Sequence, residues 1–395
     1  MKPNPVSIYK PASPTDDREK IMSHPRTRRT AGFSLIDIMI GMTIGLITVL
    51  VVVEVLQTAE ARRRTSTSGA DAVTNAALGL YTIERDGKNA GYGMTTVRAS
   101  IGCEIRAVKS GVSLKWWLTP VSISDSAGGA PDSIGFLSSK TRSAALPTRI
   151  LLNHASTDAS FFVQSDLGVR DGDMMLAVPA APAAGSWCTV VQVAGSAAGL
   201  NNVPHASGAS IWNTAGPASA MPAAGYFTGD YLINLGQPGE YIEQVYSIEN
   251  NNLHLVESVL KAATSEKQDL YPGIVQLQAV YGKDTSAPPD GVVDTWDAIA
   301  PVDAAGWQQI LAIRVALVAR SQKREPEMVT LDGNFAGTAC ASPAPPPAAV
   351  CWRPDPDGNA MAIDVNIGNT MPEWRHYRYH VVETTIPVRN TIWQQ

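Results

Sequence analysis

The sequence predicts an α+β protein, in which a long N-terminal membrane helix precedes a large β-rich globular head. The first reason is an apolar stretch from Ile38 to Val53 that contains no charged residue. The second is the number of turn-forming residues, 32 Gly and 27 Pro, which favours short strands over a helical bundle in the rest of the chain. The third is the composition, 45% hydrophobic and 17% charged, which allows a sizeable core.

The apolar stretch is long enough to cross a bilayer. With residues 33–36 added it reaches about 20 residues, the length of a membrane-spanning helix. Leu, Ile, Val and Met make up most of it, and no proline interrupts it. One acid, Asp37, lies near its start. An unpaired carboxylate in a membrane helix costs about 2.5–3.5 kcal/mol on insertion scales, so we interpret Asp37 as a functional residue.

Charge is distributed unevenly along the chain. Residues 1–32 contain seven Lys/Arg and three acids, a net charge of +4. The whole chain carries −5, so the remainder carries −9. A head of that sign has no general phosphate-binding field, and no nucleic-acid partner is expected.

The start of the apolar stretch resembles the type IV prepilin signal. That signal has a basic leader, a glycine, a phenylalanine and an acid five residues into the mature chain, matched here by Gly32, Phe33 and Asp37. The resemblance implies that a prepilin peptidase cuts between Gly32 and Phe33 and methylates the new N-terminus. The family's acid is normally Glu, and Asp37 is one methylene shorter.

Three further blocks narrow the resemblance to PilW-like minor pilins. They extend from the end of the predicted helix to the C-terminus, although the middle of the chain is unmatched and Met94 stands where the family block often has Cys. The blocks are Ile83 to Gly93, Tyr281 to Asp284 with Trp307 and Ile313 to Ser321, and Glu383 to Asn390.

What this resemblance implies is assembly, not catalysis. The subunit would wait in the inner membrane as a single-pass protein with its head in the periplasm. It would then join a pilus through helix–helix packing and initiate or cap the filament. Implied partners are the prepilin peptidase, other minor pilins, the major pilin, the inner-membrane assembly platform and a tip adhesin.

Asp37 would neutralise the Phe33 ammonium of a neighbouring subunit, because buried charges are tolerated when paired. Gly41 and Gly45 form a small-xxx-small pair that favours close helix packing.

Three alternatives remain open at this stage. A type II secretion pseudopilin has the same signal and anchor. A secreted binding protein or hydrolase would be cut after Ala61, where Ala59, Glu60 and Ala61 form an A-x-A pattern. A plain signal anchor would keep its N-terminus.

The predicted organisation has three parts: a leader at 1–32, an N-terminal helix at 33–90 with its membrane span at about 33–53, and a head at 91–395. Met22 is an alternative start that would leave a compact basic leader.

Past the span, apolar residues recur at helical spacing from Val55 to Ile83, and Gly69 and Gly79 are candidate bends. Residues 143–226 are expected to form long loops around short strands, and Ala341 to Val350 a Pro/Ala-rich loop. Predicted strands are Asp132 to Leu137, Asp230 to Leu235, Tyr241 to Ile248, Leu253 to Val259 and 311–319, the last with one exposed face.

The four cysteines lie beyond the span, on the side that an oxidising periplasm would contain. No C-x-x-C occurs, which argues against zinc or redox chemistry. Four cysteines allow three pairings, and proximity favours Cys340 with Cys351 and Cys103 with Cys188.

Catalytic patterns are absent from the sequence, which contains no G-x-S-x-G, H-E-x-x-H or Walker loop, so no enzyme activity and no cofactor are predicted. Asp284, Asp290 and Asp294 resemble an acidic calcium loop, but Pro288 to Gly291 is also a good turn, and we favour the turn. His376 and His380 would share one face of a strand, and we interpret them as exposed histidines and not as metal ligands.

Overall fold

The structure is a computed structural model. It describes residues 32, 34–140, 147–195, 200–213, 220–259, 263–264, 267–330, 349–355, 358, 360–366 and 371–392. The described chain divides into two compact units, with the boundary between Ala61 and Arg62. Each unit is considered separately below.

Helix α1, Leu35–Asn89, is the dominant helical element and crosses the boundary between the two units. In the first unit its apolar residues from Leu35 to Leu56 are all exposed. This part is long and apolar enough to span a membrane, and it is the only such helix in the described chain. Leu and Met favour a helix, and the β-branched Ile, Val and Thr residues are tolerated in it.

In the second unit, α1 buries one stripe of small and apolar residues. The stripe is Ser68, Ala72, Ala76, Gly79, Leu80, Ile83, Asp86 and Gly87. The spacing of three and four residues is that of one helix face. Val73 and Ala77, which the sequence pattern placed on the apolar face, are exposed. Gly79 does not bend the helix; it gives room to a neighbour, because a Cβ there would lie 3.1 Å from Leu253 Cδ2.

Among the described residues, the head contains twenty strands in three larger sheets and two two-stranded pairs. The first sheet has the order β2-β1-β8-β7-β10-β5, and β1 pairs with β8 in parallel while the other neighbours are antiparallel. Its strands are β1 (Glu104–Lys109), β2 (Val112–Trp117), β5 (Thr148–Arg149), β7 (Met174–Val178), β8 (Cys188–Gln192) and β10 (Tyr231–Gly236).

The second sheet has the order β13-β12-β11-β4-β3, with β14 also paired to β12. Its strands are β3 (Val121–Ser124), β4 (Ser133–Ser139), β11 (Tyr241–Glu249), β12 (Asn252–Val259), β13 (Ala263–Thr264) and β14 (Gln268–Pro272). The third sheet has the antiparallel order β16-β15-β17-β20. Its strands are β15 (Ile274–Lys283), β16 (Thr295–Asp297), β17 (Ile310–Arg320) and β20 (Tyr379–Pro387).

Two small pairs and two short helices complete the head. The strand pairs are β6 (Ser160–Phe162) with β9 (Asn202–Pro204), and β18 (Ala349–Trp352) with β19 (Met361–Asp364). The helices are α2 (Ala304–Gln308) and α3 (Arg389–Ile392). Asp303 caps α2, because its side chain accepts a hydrogen bond from the Gly306 amide.

The predicted strands correspond to β4, β10, β11, β12 and β17, each within one or two residues. The expected exposed face of 311–319 is wrong. One face of β17, including Ile313 and Val315, belongs to the core beneath α1. The other face, including Ala316 and Val318, is covered by Trp352 of β18 and its neighbours. A strand covered on both sides has no reason to alternate between apolar and polar residues.

Within residues 143–226, the described part contains short strands and long connections, as predicted, but it also holds a core of its own. Ile150, Phe161, Val163, Val203 and Tyr226 pack against one face of the first sheet. The opposite face of that sheet packs against a separate cluster that includes Met94, Leu118 and Trp212. The Pro/Ala-rich prediction falls mostly on residues outside the described part; only its last two residues, 349–350, are described, in β18.

Candidate functional site

The predicted processing site precedes α1. Gly32 and Ser34 are exposed and non-helical, and Phe33 lies outside the described residues. Asp37 lies in the first turn of α1, where its Oδ2 accepts a hydrogen bond from the Ser34 amide at 3.2 Å. A carboxylate in this position stabilises the helix N-terminus, where backbone N–H groups have no partner inside the helix. The acid therefore also has a local role within its own subunit.

Gly41 and Gly45 lie one turn apart on the exposed part of α1. A Cβ built at either position has no atom within 4 Å. Neither glycine is therefore explained by contacts within the subunit. Residues four apart share one helix face, so the pair leaves a shallow region where another helix backbone could approach closely.

At its other end, α1 is fixed to the head by a buried carboxylate. Asp86 is 7% exposed, and its Oδ2 accepts a hydrogen bond from the Tyr246 hydroxyl of β11 at 2.5 Å. Its Oδ1 accepts from Nε of Arg85 at 2.8 Å. Burial and the neighbouring Asp86 carboxylate raise the pKa of Tyr246 well above its usual range, so the phenol remains a donor.

The C-terminal block meets the same end of α1. The Asn390 side-chain amide donates to the Ala90 carbonyl at 2.8 Å, and the Thr95 hydroxyl donates to the Asn390 carbonyl at 3.1 Å. Gly87 lets β20 approach, because a Cβ there would lie 3.0 Å from Ile386 Cγ2 and 3.1 Å from Phe136 Cε1. Residues about 300 positions apart in sequence are thus in direct contact.

The middle block borders the same core. The Tyr281 hydroxyl of β15 accepts a hydrogen bond from the Ile123 amide at 2.6 Å, and its ring contacts Trp307 edge-to-face at 5.8 Å between centroids. All three blocks that carried the family resemblance therefore contribute to one cluster around the end of α1. The three blocks are far apart in the sequence, but in the fold they form the surface against which the end of α1 packs.

One disulfide lies in the first sheet. Cys103 and Cys188 are bonded, with their Cα atoms 6.0 Å apart. Cys103 immediately precedes β1, and Cys188 begins β8, which is the parallel neighbour of β1. The bond therefore closes the one parallel junction of that sheet. Cys351 lies in β18, whereas Cys340 lies outside the described residues, so the pairing of Cys340 with Cys351 stays a prediction.

The acidic loop after β15 is organised by backbone amides. Asp284 Oδ2 accepts from the Gly291 amide at 2.7 Å, and Asp294 Oδ2 accepts from the Thr285 amide at 2.7 Å. Asp290 Oδ1 accepts from Val292 at 2.9 Å. The Thr285 amide lowers the pKa of Asp294. These contacts explain the three aspartates as turn-forming residues. No group of three or more His, Cys, Asp or Glu in the described chain is placed to hold a metal ion.

His376 and His380 are not on one strand. His376 lies in a 3-10 turn, Trp374–His376, where its Nδ1 is 2.9 Å from the Glu325 carbonyl, and His380 lies in β20. A different histidine pair could not be predicted from the sequence. His154 and His205 are both buried, and their Nε2 atoms are 2.9 Å apart. They are 51 residues apart, and no local pattern brings them together.

The described chain combines an apolar helix that is long enough to span a membrane with a sheet-rich head, the fold expected of a pilin-like protein. The model of the PilW family, described as type IV pilus-assembly protein W, matches residues 241–390. This match covers less than half of the chain and confirms its resemblance to PilW-like proteins over those residues. Among solved structures, a type IV-like pilin from Thermus thermophilus is similar with a TM-score of 0.31 and 9% identity, over 81% of this chain and 97% of that chain. No curated protein sequence matches the chain.

Proposed function

We propose that this protein is a minor pilin that joins a type IV pilus through helix–helix packing and initiates or caps the filament. The observation that carries the proposal is the first part of α1, which is apolar on all sides and wholly exposed within the subunit. A helix of this kind needs either lipid or other apolar helices around it. The PilW match over residues 241–390 supports a pilus filament as the source of those other apolar helices.

The proposed organisation follows from that choice. Residues 1–32 are a leader that prepilin peptidase removes, and 33–90 form the helix whose first part waits in the inner membrane. Residues 91–395 form the head, which we place in the periplasm and then in the pilus. The Cys103–Cys188 disulfide supports this side of the membrane, since disulfides persist in oxidising compartments. Proposed partners are the peptidase, the major and other minor pilins, the assembly platform and a tip adhesin.

Asp37 is the residue on which assembly is proposed to depend. Insertion into lipid gains nothing from a carboxylate. In a filament, however, the ammonium created on Phe33 would enter an apolar helix bundle, and the Asp37 carboxylate of a neighbour can pair with it. A buried charge that keeps its partner is tolerated, whereas one that loses it is strongly destabilising.

The experiment compares Asp37→Ala, Asp37→Glu and the parent in cells. The ratio of pilus-associated to membrane-associated protein is measured after shearing. We expect Asp37→Ala to insert and be cleaved normally but to lose most of its incorporation into pili, and Asp37→Glu to behave as the parent. Asp71→Ala, which removes an exposed acid from the head portion of α1, serves as the matched control.

Two results would contradict the proposal in different ways. If Asp37→Ala enters pili as well as the parent, the charge-pairing role is wrong. If N-terminal sequencing of the mature protein finds Arg62 as the first residue, the prepilin assignment itself is wrong and the chain is a secreted protein. A mature N-terminus at methylated Phe33 supports the processing step.

A further inference from the structure

The head contains a cavity of about 450 Å³ in the part of the chain that precedes the PilW match. It lies against β8 of the first sheet, opens to the surface and is bordered by the loops around residues 156–159, 205–207 and 212–213. Its volume is within the range of about 300–1,000 Å³ that small-molecule sites occupy. Nothing in the proposed assembly of the pilus uses this cavity.

The floor of the cavity is buried and its polar atoms already have partners. The Asn213 side chain accepts from the Gln192 amide at 2.8 Å and donates to the Gln192 carbonyl at 2.6 Å. Thr189 Oγ1 donates to the Ala220 carbonyl at 2.7 Å and accepts from the Tyr226 hydroxyl at 2.8 Å. Such a floor is formed before any ligand arrives, so binding would not have to order it.

The rim has the opposite character. The hydroxyl-bearing residues Ser156, Thr157 and Ser207 line the cavity, and their hydroxyls make no hydrogen bond within the described part of the chain. Asp158 uses Oδ2 to accept from the Ala155 amide at 2.8 Å, which fixes the carboxylate, and its Oδ1 has no partner among the described residues. The rim of the cavity therefore combines three hydroxyl-bearing side chains with one carboxylate.

The charge of the residues that line the cavity indicates which ligands it could bind. Asp158 is the only formally charged side chain among the described lining residues, which include no Lys or Arg. His205 also lines the cavity, and burial together with His154 lowers its pKa to about 4, so it is neutral at physiological pH. The Lys109 ammonium lies 5.3 Å from the centroid of the Trp212 ring, but Lys109 does not line the cavity. A wall without positive charge disfavours phosphate, sulfate and carboxylate ligands.

We propose that this cavity binds a neutral saccharide unit, whose hydroxyl groups bond to the Asp158 carboxylate and to the hydroxyls of Ser156, Thr157 and Ser207, and whose apolar ring face lies towards Trp212. A sugar matches the rim because each hydroxyl both donates and accepts. An amine would use only the carboxylate and leave the rim hydroxyls without a role. Trp212 is 4% exposed, so it offers apolar contact at the floor and not an open aromatic face for a cation. The proposal adds recognition of a glycan to the assembly role and does not depend on it.

The test uses the full chain in a detergent that contains no sugar, because an alkyl glycoside would occupy the proposed site. Binding of glucose, galactose, mannose and N-acetylglucosamine, and of their common disaccharides, is measured by titration calorimetry after a screen on a printed glycan array. We expect at least one neutral saccharide to bind, and Asp158→Asn to weaken that binding about tenfold or more, the weight of a hydrogen bond to a charged group.

Two further variants make the result specific to the cavity. Ser207→Ala, which removes one rim hydroxyl, is expected to weaken binding several-fold. Asp166→Asn is the matched control, because Asp166 also accepts backbone hydrogen bonds in a loop, from Leu200 and Asn201, but does not line the cavity. It should leave binding unchanged. The proposal is overturned if the folded protein binds no neutral saccharide, if anionic glycans or an amine such as choline bind in preference, or if Asp166→Asn is as damaging as Asp158→Asn.

Discussion

The Tyr246 hydroxyl donates to the Asp86 carboxylate across the interface between α1 and β11, at a distance of 2.5 Å. This bond joins a residue in the last turn of α1 to the middle strand of the second sheet. Around it lie the apolar residues of the main cluster, including Ile83, Ile134 and Phe136. A buried carboxylate in such surroundings needs its donors, because water is not there to replace them.

We predict that Tyr246→Phe destabilises the head by about 1–3 kcal/mol, the cost of leaving a buried acceptor without its partner. Urea unfolding followed by near-ultraviolet circular dichroism measures it. Tyr81→Phe is the control, because Tyr81 is on the same helix but is 64% exposed. Equal stability of the two variants would show that the Asp86 contact contributes nothing.

The two glycines of α1 at positions 69 and 87 make a second matched pair. A side chain at Gly87 would meet Ile386 and Phe136, whereas a Cβ at Gly69 has no atom within 4 Å. We predict that Gly87→Leu destabilises the head by about 1–3 kcal/mol through overpacking. Gly69→Leu should instead stabilise it by up to about 1 kcal/mol, because leucine is the better helix former. Thermal unfolding of both variants decides this, and a stabilised Gly87→Leu would contradict the packing described here.

The elements that could be predicted from sequence are those with a local signal. The apolar run and its helical continuation predicted α1. Apolar segments bounded by turn-forming residues predicted β10, β11 and β12 to within one residue at each end. The family blocks near Asp86 and Asn390 also marked residues that meet in the fold.

What escaped prediction depends on contacts between distant segments. Arg314 indicated an exposed face for β17, yet it reaches Glu383 of β20 and the Pro354 carbonyl, and residues from β18 and β19 cover that face. The cavity and the His154–His205 pair combine loops about 50 residues apart in a region of low charge and many small residues. Composition there predicts loops, and only the fold shows what the loops enclose.

The disulfides give a third prediction. Non-reducing peptide mapping of protein made in the periplasm should find Cys103 joined to Cys188, and we predict Cys340 joined to Cys351. The double variant Cys103→Ser/Cys188→Ser should lose about 4.5 kcal/mol, since the bond closes a loop of 85 residues and thereby lowers the conformational entropy of the unfolded chain. The loss should be larger than that of Cys340→Ser/Cys351→Ser, whose loop is far shorter. The reverse order would contradict the loop-entropy account, and free thiols at Cys340 and Cys351 would contradict the second pairing.

The last prediction concerns pH and the buried His205. Burial and the neighbouring His154 lower its pKa from 6.5 to about 4 in the folded protein. The unfolded chain therefore binds a proton at His205 more readily than the folded one. Its contribution to stability is complete above pH 6.5 and is lost as the pH falls towards 4, by at most about 3 kcal/mol.

Asp132 changes the stability in the opposite direction over part of the same pH range. The pH dependence of the parent's unfolding free energy alone therefore does not isolate the contribution of His205. Burial raises the pKa of Asp132 from 3.8 to about 6, which removes stability as the pH rises through that interval. The measurement is therefore the difference in unfolding free energy between the parent and His205→Gln at several pH values from 4 to 7. Because both proteins keep Asp132, its contribution cancels. We expect the parent's advantage to shrink steadily below pH 6.5. A difference that does not change with pH would mean that His205 is not held neutral by the fold.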